Sequence, residues 1–568
     1  MAKCSACSDS NVEDMIQCSV CSNSFHATCT RLGDLEKFKK MSAATKSSWK
    51  CDTCVQSKNK TLGEDGSRFR PWADDVQDFY KIRDSCLASG QLFEDSQFDA
   101  VESSLSSSKS PSISKSFDVK SIKWKRPTEI VNGPQFFVKG ATRFDVQQGK
   151  LGDCWLLAAV ANLTSHEHLF QQVVPNDQSF QDNYAGIFHF RFWQYGEWVD
   201  VVIDDRLPTY YGELVFLHSK QQNEFWSALL EKAYAKLYGS YEALKGGSAS
   251  EALEDFTGGV TEFYNLRDKT PSNLFKIMEK AHERSSLMGC SIYPDPNAWE
   301  ARTSEGLVRG HAYSITEVKL VDITTPTKTG KIPLLRIRNP WGDGVEWNGV
   351  WSDKSPEWQY IPETAKQEMG LTFSYDGEFW MSYRDFTQRF DQLDICNLSP
   401  DSLLENMLTK HDKKKWEMSV FEGEWVRGAT AGGCRVNPET FWHNPQYIIT
   451  LTDPDEKDEE DKCTVLVALM QKNRRKMGAE SLHIGFAVYH MEDANNLPKP
   501  LDLNFFKYNA CVAETQFIKQ REVTARFKLP PGVYCIVPST FDPNEEGEFL
   551  LRVFSETKNY MFSFSKGR

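Results

Sequence analysis

The sequence predicts a multidomain α+β chain with a small metal-braced head, a central body that mixes helices and strands, and an all-β tail. Three observations carry this. Seven of the fifteen cysteines crowd into the first 54 residues. An apolar run of helical composition, Trp155 to Ala161, opens a body that later turns to strand-like segments such as LLRIRN and EFWMSY. From Cys396 onward, YIITLTD, CTVLVALMQK, IGFAVYH, GVYCIVPST and EFLLRVFSE alternate or run apolar between turn signals. A length of 568 residues leads us to expect three or four domains, and 40% hydrophobic residues supply their cores. A net charge of −13 disfavours nucleic-acid binding as the main role and suits a protein that gathers divalent cations.

The head, residues 1–57, spells Cys4-x2-Cys7, Cys18-x2-Cys21, His26-x2-Cys29 and Cys51-x2-Cys54. Eight soft or borderline ligands in four close pairs suffice for two closed, tetrahedral, structural zinc sites. So short a segment lacks the apolar mass for its own core, and metal has to supply most of its folding energy. The pattern, with Trp49 two residues ahead of Cys51, resembles a PHD finger. That resemblance implies cross-bracing, with Cys4, Cys7, His26 and Cys29 on one zinc and Cys18, Cys21, Cys51 and Cys54 on the other. PHD fingers often read histone tails, through an aromatic cage where the lysine is trimethylated. Ser24, directly before Phe25-His26, stands where such readers commonly carry Trp. Docking of a protein other than a histone tail, or simple tethering, therefore stands beside the histone-tail reading.

Residues 58–119 form a linker and an extension that leads into the body. FRPWADDVQDFYKIRDSCLASGQLF places Val76, Phe79, Tyr80 and Ile82 at helical spacing, and SSLSSSKSPSISKS, from Ser103 to Ser116, is low-complexity connector.

The body holds the chemistry. QGKLGDCWLLAAVANL sets Cys154 at the mouth of its apolar run, where helix-terminal N–H groups favour thiolate, the nucleophilic form. A lone intracellular cysteine is ordinarily a core residue, so the reading depends on partners. GLVRGHAYSI places His311 at the start of an alternating strand, and RIRNPWGDGVEW places Asn339 at the end of another, before Pro340. Together they suggest a Cys/His/Asn triad in which Cys154 attacks a carbonyl, His311 moves the proton and Asn339 fixes the imidazole tautomer. Gln148 is the candidate oxyanion donor, beside the Cys154 backbone N–H. Taken singly, a strand histidine is usually a satisfied core residue and an Asn before Pro usually opens a turn.

GDCWLLAA, GHAYSI and RNPWG, in this order, resemble the calpain protease core, and WKRPTE, NEFWSALLEKAYAKLYGSYEAL, DGEFWMSYRDF, TAGGCR and RFKLPPGVYCIVPSTF extend the likeness over roughly the last five hundred residues. The resemblance implies a two-subdomain papain-like core, with Cys154 on the first subdomain (120–247) and His311 and Asn339 on the second (248–395). It implies that Trp341 is the gate residue between the halves; packing beside Asn339 to shield its bond to the histidine is a compatible role. Gly246, Gly247 and Gly310 line the substrate cleft, so that an extended peptide pairs with backbone on both walls. The likeness also implies two calcium sites. The first comprises the Val138 and Gly140 carbonyls with Asp145 and Glu224; the second comprises Glu346, Asp353, Asp376 and Glu378 with a carbonyl from Ser374. These are hard oxygen donors, as calcium prefers. Arg143 matches the arginine that reaches across to an acid of the other half, here Glu378. One departure is Asp343-Gly344, which makes the step from RNPWG to Glu346 one residue longer than the family's usual spacing.

The tail, 396–568, is expected to be the calpain-type antiparallel β-sandwich. DPDEKDEEDK, from Asp453 to Lys462, is a candidate loop for further calcium, and KNRRK, from Lys472 to Lys476, is a candidate contact for an anionic membrane surface; either is as readily a solvated loop. FDPNEEGEF offers Asp542, Asn544, Glu546 and Gly547 in EF-loop order, but Val553 stands where a bidentate Glu is required, so a strand connection is expected. No EF-hand tail is legible, and a small subunit is not expected as a partner. The first thirty residues lack the apolar core of a signal peptide, and the remaining cysteines Cys86, Cys290, Cys396, Cys434, Cys463, Cys511 and Cys535 carry no pairing signal. The expected location is intracellular, cytoplasmic or nuclear. The function expected is calcium-activated limited proteolysis of protein substrates by a cysteine endopeptidase. The alternative is a non-proteolytic zinc-finger adaptor or chromatin-associated binding protein.

Overall fold

A computed structural model describes Met15–Gln17, Ser24–His26, Lys39, residues 77–106, 118–398 save 269, 284, 296–300 and 328, and then 417–452, 461–555 and 559–563. It divides into two compact units, residues 74–402 as one and the head with residues 403–568 as the other. In the head, Met15–Gln17 pairs antiparallel with Ser24–His26. The seven cysteines expected to hold zinc lie outside the described residues, as do residues 107–117 and all but the last two residues of the acidic 453–462 stretch.

The unit 74–402 opens on a helix, Phe79–Ser89, where the extension was expected to be helical. Asp78 caps it by accepting from the Lys81 N–H, and Gly90, at φ 68°, ends it in the left-handed region that glycine alone adopts without cost. The apolar run after Gly152 forms a helix, Cys154–Leu163, whose residues 155–163 are all buried. The part surrounding it mixes helix and strand. Helices Trp226–Tyr238 and Ala249–Thr257 are there, but so is a long antiparallel ribbon of Ile187–Gln194 and Glu197–Asp204. Its turn residues Tyr195 and Gly196 both have positive φ, 53° and 101°, the tight-turn geometry that matches strand twist. Its first strand alternates Phe188, Phe190 and Phe192 with His189 and Arg191, and most of the ribbon is buried on both faces.

The largest sheet of this unit is six-stranded and antiparallel, in the order 378–382, 329–338, 311–324, 287–292, 392–397, 260–265. Its core gathers Tyr313, Ile315, Leu335, Ile337, Phe379 and Leu393. His311–Thr324 pairs with Thr329–Arg338 on one side and Leu287–Ile292 on the other. The cysteine helix packs on this histidine strand, on Leu287–Ile292 and on Ala249–Thr257. The Asn162 side-chain amide donates to the Met288 carbonyl at 2.7 Å, tying the helix to the sheet.

In the other unit, the described residues between 417 and 563 are all-β apart from short helices. A four-stranded antiparallel sheet, 417–425, 547–555, 463–471 and 522–529, faces a five-stranded one, 513–514, 484–490, 532–540, 447–451 and 559–563. Val465, Val467, Leu469, Phe486, Val488, Ile536, Phe549 and Leu551 share the core between them. FDPNEEGEF connects Gly532–Thr540 to Gly547–Ser555, and Val553 lies within the latter strand.

Candidate active site and cation sites

Cys154 is the first residue of its helix, half-buried and free of disulfide. The backbone before it is held at three points. The Gln147 and His218 N–H and C=O groups exchange bonds at 2.9 and 3.2 Å, the Lys150 N–H donates to Val215, and the Gln148 N–H donates to the Pro340 carbonyl at 3.2 Å. Gly149 makes this possible, because a Cβ there would stand 2.3 Å from the Phe216 carbonyl oxygen. Buried Trp155 anchors the first turn through its indole N–H to the Leu244 carbonyl, 2.8 Å. The Gln148 side-chain amide donates to the Leu151 carbonyl at 2.9 Å in this conformation.

His311 begins its strand and Asn339 directly follows the strand that ends at Arg338. His311 Nε2 and Asn339 Oδ1 are 2.8 Å apart. An amide oxygen only accepts, so Nε2 carries the proton and Nδ1 is the basic nitrogen. Asn339 is itself fixed on three sides. Its Nδ2 donates to the Val345 carbonyl at 3.0 Å, its Oδ1 also accepts the Trp341 N–H at 3.0 Å, and its own N–H donates to the Gly377 carbonyl at 2.7 Å. Burial pulls His311 down to about 4 against the opposing Asn339 bond, so the ring is a neutral base near neutral pH. The Trp341 ring lies on His311, centroids 4.9 Å apart, with the Arg302 guanidinium 5.3 Å over its other side. Of the roles expected for Trp341, shielding the His311–Asn339 bond is the one these contacts describe.

Gly246 and Gly310 both have positive φ, 71° and 68°. Their N–H groups are taken up internally, Gly246 by the Gly152 carbonyl and Gly310 by the Ile292 carbonyl, each at 2.8 Å. The expected pairing of an extended peptide therefore does not use those two donors. Gly247 is exposed beside them.

The acids expected to bind calcium fall into two groups. In the first, Glu224 accepts from the Val138 N–H and the Ser219 hydroxyl, both at 2.6 Å, and Asp145 accepts from the Thr142 N–H at 2.6 Å. Burial raises Glu224 to about 7, and although its hydrogen bonds oppose the rise, the neighbouring Asp145 adds to it. Gly140, at φ 88°, turns the chain beside them. In the second group, Glu346 accepts the Asp376 and Gly377 N–H groups at 3.0 and 2.8 Å. Burial, then the charges of Glu346 and Asp376, push Asp353 to about 7. The Asp376 N–H donates to the Ser374 carbonyl at 3.0 Å. Crowded carboxylates flanked by carbonyls are the donor chemistry a hard divalent ion takes. Among the described residues, though, no three His, Cys, Asp or Glu side chains form a ready-made cluster.

Glu378 is different. Arg143 holds both its oxygens, Nε to Oε1 and Nη2 to Oε2, each at 2.7 Å. Burial would raise Glu378, but Arg143 and Arg336 hold it below the usual carboxylate range. As a calcium ligand, Glu378 has to surrender part of that fork. The Phe144 ring lies between the Arg143 and Arg338 guanidiniums, 4.5 and 4.9 Å away, and reinforces the same crossing.

Sequence patterning did not single out Gly377, whose left-handed φ of 85° lets it approach Asn339; a Cβ there would lie 2.7 Å from the Asn339 carbonyl oxygen. The available signal was a glycine between two acids in FSYDGEF. It also passed over Asp153 and Glu231, which meet in the interior behind Cys154.

The chain matches three family models: calpain family cysteine protease over residues 93–397, calpain large subunit domain III over 421–554, and the Pygopus PHD-type zinc finger over 1–58. It is 64% identical over 506 residues to Calpain-A of Drosophila melanogaster, covering 88% of this chain and 60% of that protein. To Calpain-B of the same organism it is 63% identical, covering 85% of this chain and 52% of that protein. To the Calpain-1 catalytic subunit of Mus musculus it is 54% identical, covering 85% and 67%. The chain thus spans between about half and two thirds of the length of these relatives.

Proposed function

The chain belongs to the calpain family of cysteine proteases, and from that premise we propose that it is a calcium-dependent intracellular cysteine endopeptidase with a zinc-finger head that docks a protein partner. The observation that carries this is the 2.8 Å bond from His311 Nε2 to Asn339 Oδ1, made in the sheet on which the Cys154 helix packs. It leaves Nδ1 as the nitrogen for the thiol proton.

The chemistry then runs in two stages. His311 Nδ1 takes the Cys154 proton as sulfur attacks the scissile carbonyl carbon. The tetrahedral oxyanion is held by the Cys154 N–H and by the Gln148 amide, which first leaves the Leu151 carbonyl. The C–N bond breaks as His311 passes its proton to the leaving amine, and a thioester remains. His311 then deprotonates a water, which attacks the thioester; the acid departs, and its proton returns to sulfur. Asn339 keeps the ring in one tautomer throughout.

We read residues 120–247 and 248–395 as the two halves of a papain-like core. Val138, Gly140, Asp145 and Glu224 would hold one calcium ion, and Glu346, Asp353, Ser374, Asp376 and Glu378 a second. Calcium bound there would supply the positive charge that lets these acids stay ionised together. In the head, two structural zinc ions would be cross-braced by the eight Cys and His ligands. The presence of Gln148, Cys154, His311 and Asn339 together weighs against a non-proteolytic adaptor. An anionic membrane surface is the weaker partner for the sandwich, since Lys472 pairs with Glu422 at 2.9 Å and Arg474 donates to the Glu480 carbonyl. No disulfide joins the eight described cysteines to one another.

The test is cleavage of a flexible protein substrate by the full chain with and without calcium, using a chelator selective for calcium over zinc. Calcium-dependent cleavage that Cys154→Ala abolishes is expected. Cleavage indifferent to calcium, or surviving that substitution, refutes the proposal.

A further inference from the structure

Asp153 stands at the N-cap of the cysteine helix. At that position a carboxylate ordinarily accepts the N–H groups of the first turn and screens the positive end of the helix. Here the side chain makes no capping bond, and the first turn closes on the Asp153 backbone carbonyl, which accepts the Leu156 and Leu157 N–H groups at 2.9 and 3.2 Å. The carboxyl group is turned into the interior, 1% exposed. Opposite it, on helix Trp226–Tyr238, is Glu231, also 1% exposed. Glu231 Oε2 accepts the Leu217 N–H at 3.1 Å. Its Oε1 meets no N–H or hydroxyl donor, and the side chain it hydrogen-bonds is Asp153. Two carboxyl oxygens can hydrogen-bond only through a proton, and two bare carboxylates cannot share a dry site.

We propose that Asp153 and Glu231 form a carboxyl–carboxylate pair sharing one proton, and that this pair positions the nucleophile by withholding the Asp153 charge from the helix N-terminus, so that the positive end of the helix dipole stays unscreened beside Cys154. Both are positioning residues, and the idea rests on Cys154 being the nucleophile. Burial and the facing Asp153 push Glu231 well above the usual carboxylate range, which places the shared proton there. The other titratable group at the pair is the Tyr241 phenol, itself pushed well up by burial and then by Glu231, Asp204 and Asp153. Lys245 is exposed, its stem lying near Gly152. Without Glu231, Asp153 loses its reason to stay inside, and the nearest donors for its charge are the N–H groups that serve the thiolate.

The test uses the full chain and reads iodoacetamide alkylation of Cys154 by peptide mass spectrometry from pH 5.5 to 9. Glu231→Leu should slow alkylation near pH 6.5 by about fivefold and move the profile to higher pH. Adding Asp153→Asn to that variant removes the competing carboxylate and should restore the rate. An unchanged profile in Glu231→Leu, or a slowed one that Asp153→Asn does not restore, overturns the proposal. A parent whose Cys154 alkylates no faster than half-buried Cys86 overturns the nucleophile assignment as well, so the two failures are distinct. If Glu231→Leu does not fold, thermal melts of Glu231→Gln decide. The folded parent keeps a proton that its unfolded chain loses above about pH 4.5, so the parent should lose stability relative to Glu231→Gln as pH rises from 5 to 8. Parallel pH dependences refute proton sharing.

Discussion

Asn339 Oδ1 lies 2.8 Å from His311 Nε2 and accepts the Trp341 N–H at 3.0 Å as well, so a single oxygen fixes both the tautomer of the base and the loop that covers it. Asn339→Ala frees the imidazole to take either tautomer. It should lower kcat about a hundredfold or more with a much smaller change in KM, checked by steady-state hydrolysis of a fluorogenic peptide.

Gly377 holds the other side of that asparagine through its carbonyl. Gly377→Ala combines a strained left-handed φ with a Cβ 2.7 Å from the Asn339 carbonyl oxygen. The expected result is a loss of kcat of about tenfold or more with the substrate's KM nearly unchanged. An equal loss in both would mean that the substitution acts through general unfolding.

Glu224 and Asp353 are each pushed to about 7 by burial and neighbouring acids. Replacing either by Ala removes a hard oxygen ligand and an awkward buried charge together. The calcium concentration for half-maximal proteolysis should rise about tenfold or more, and the melting temperature without calcium should not fall. An unaltered calcium response would disprove these ligands.

Arg143 grips Glu378 with two bonds of 2.7 Å. Arg143→Ala leaves Glu378 with Arg336, 3.6 Å away, so the fold should persist. If the fork couples the two cation groups, its loss flattens the calcium dose-response curve, and titrations of parent and variant compare their steepness.

His189 sits between Asp200 at 2.9 Å and Asp177 at 3.1 Å, with the Phe79 ring stacked on it at 3.9 Å. Burial alone would lower its pKa, but the Asp200 and Asp177 charges outweigh burial and push it to about 9. The folded chain therefore binds a proton that the unfolded chain loses above about pH 6.5. This stabilisation is complete below that pH and vanishes as pH rises through about 9. Melts of parent and His189→Gln should differ most near pH 6 and converge toward pH 9.5; a constant gap would refute the charged clasp.

Local chemistry made much of this legible in advance. The apolar run after Gly152, the alternation after His311 and the Asn-Pro step after Arg338 each announce an element and the side chain at its end, because helix periodicity, strand alternation and proline restriction act over a few residues. The 187–204 ribbon was the harder case. Its signals were present, in the alternation of Phe188, Phe190 and Phe192 with His189 and Arg191 and in the Tyr195-Gly196 turn, but what packs on each face is set by distant residues.

What the sequence by itself offered is a roster of candidates: a cysteine, a histidine and an asparagine placed for a nucleophile, a base and an orienting amide, eight Cys and His in zinc-type pairs by spacing, and two sets of hard oxygen donors implied by the calpain resemblance. Tertiary structure alone decided which of these touch. The Arg143 fork onto Glu378 spans 235 residues, and Asp153, at the N-cap of one helix, faces Glu231, within another, only in the folded interior. The physical reason is range. Propensity and periodicity act over a turn or two of chain, whereas a carboxylate's partner is set by burial and packing across the whole domain.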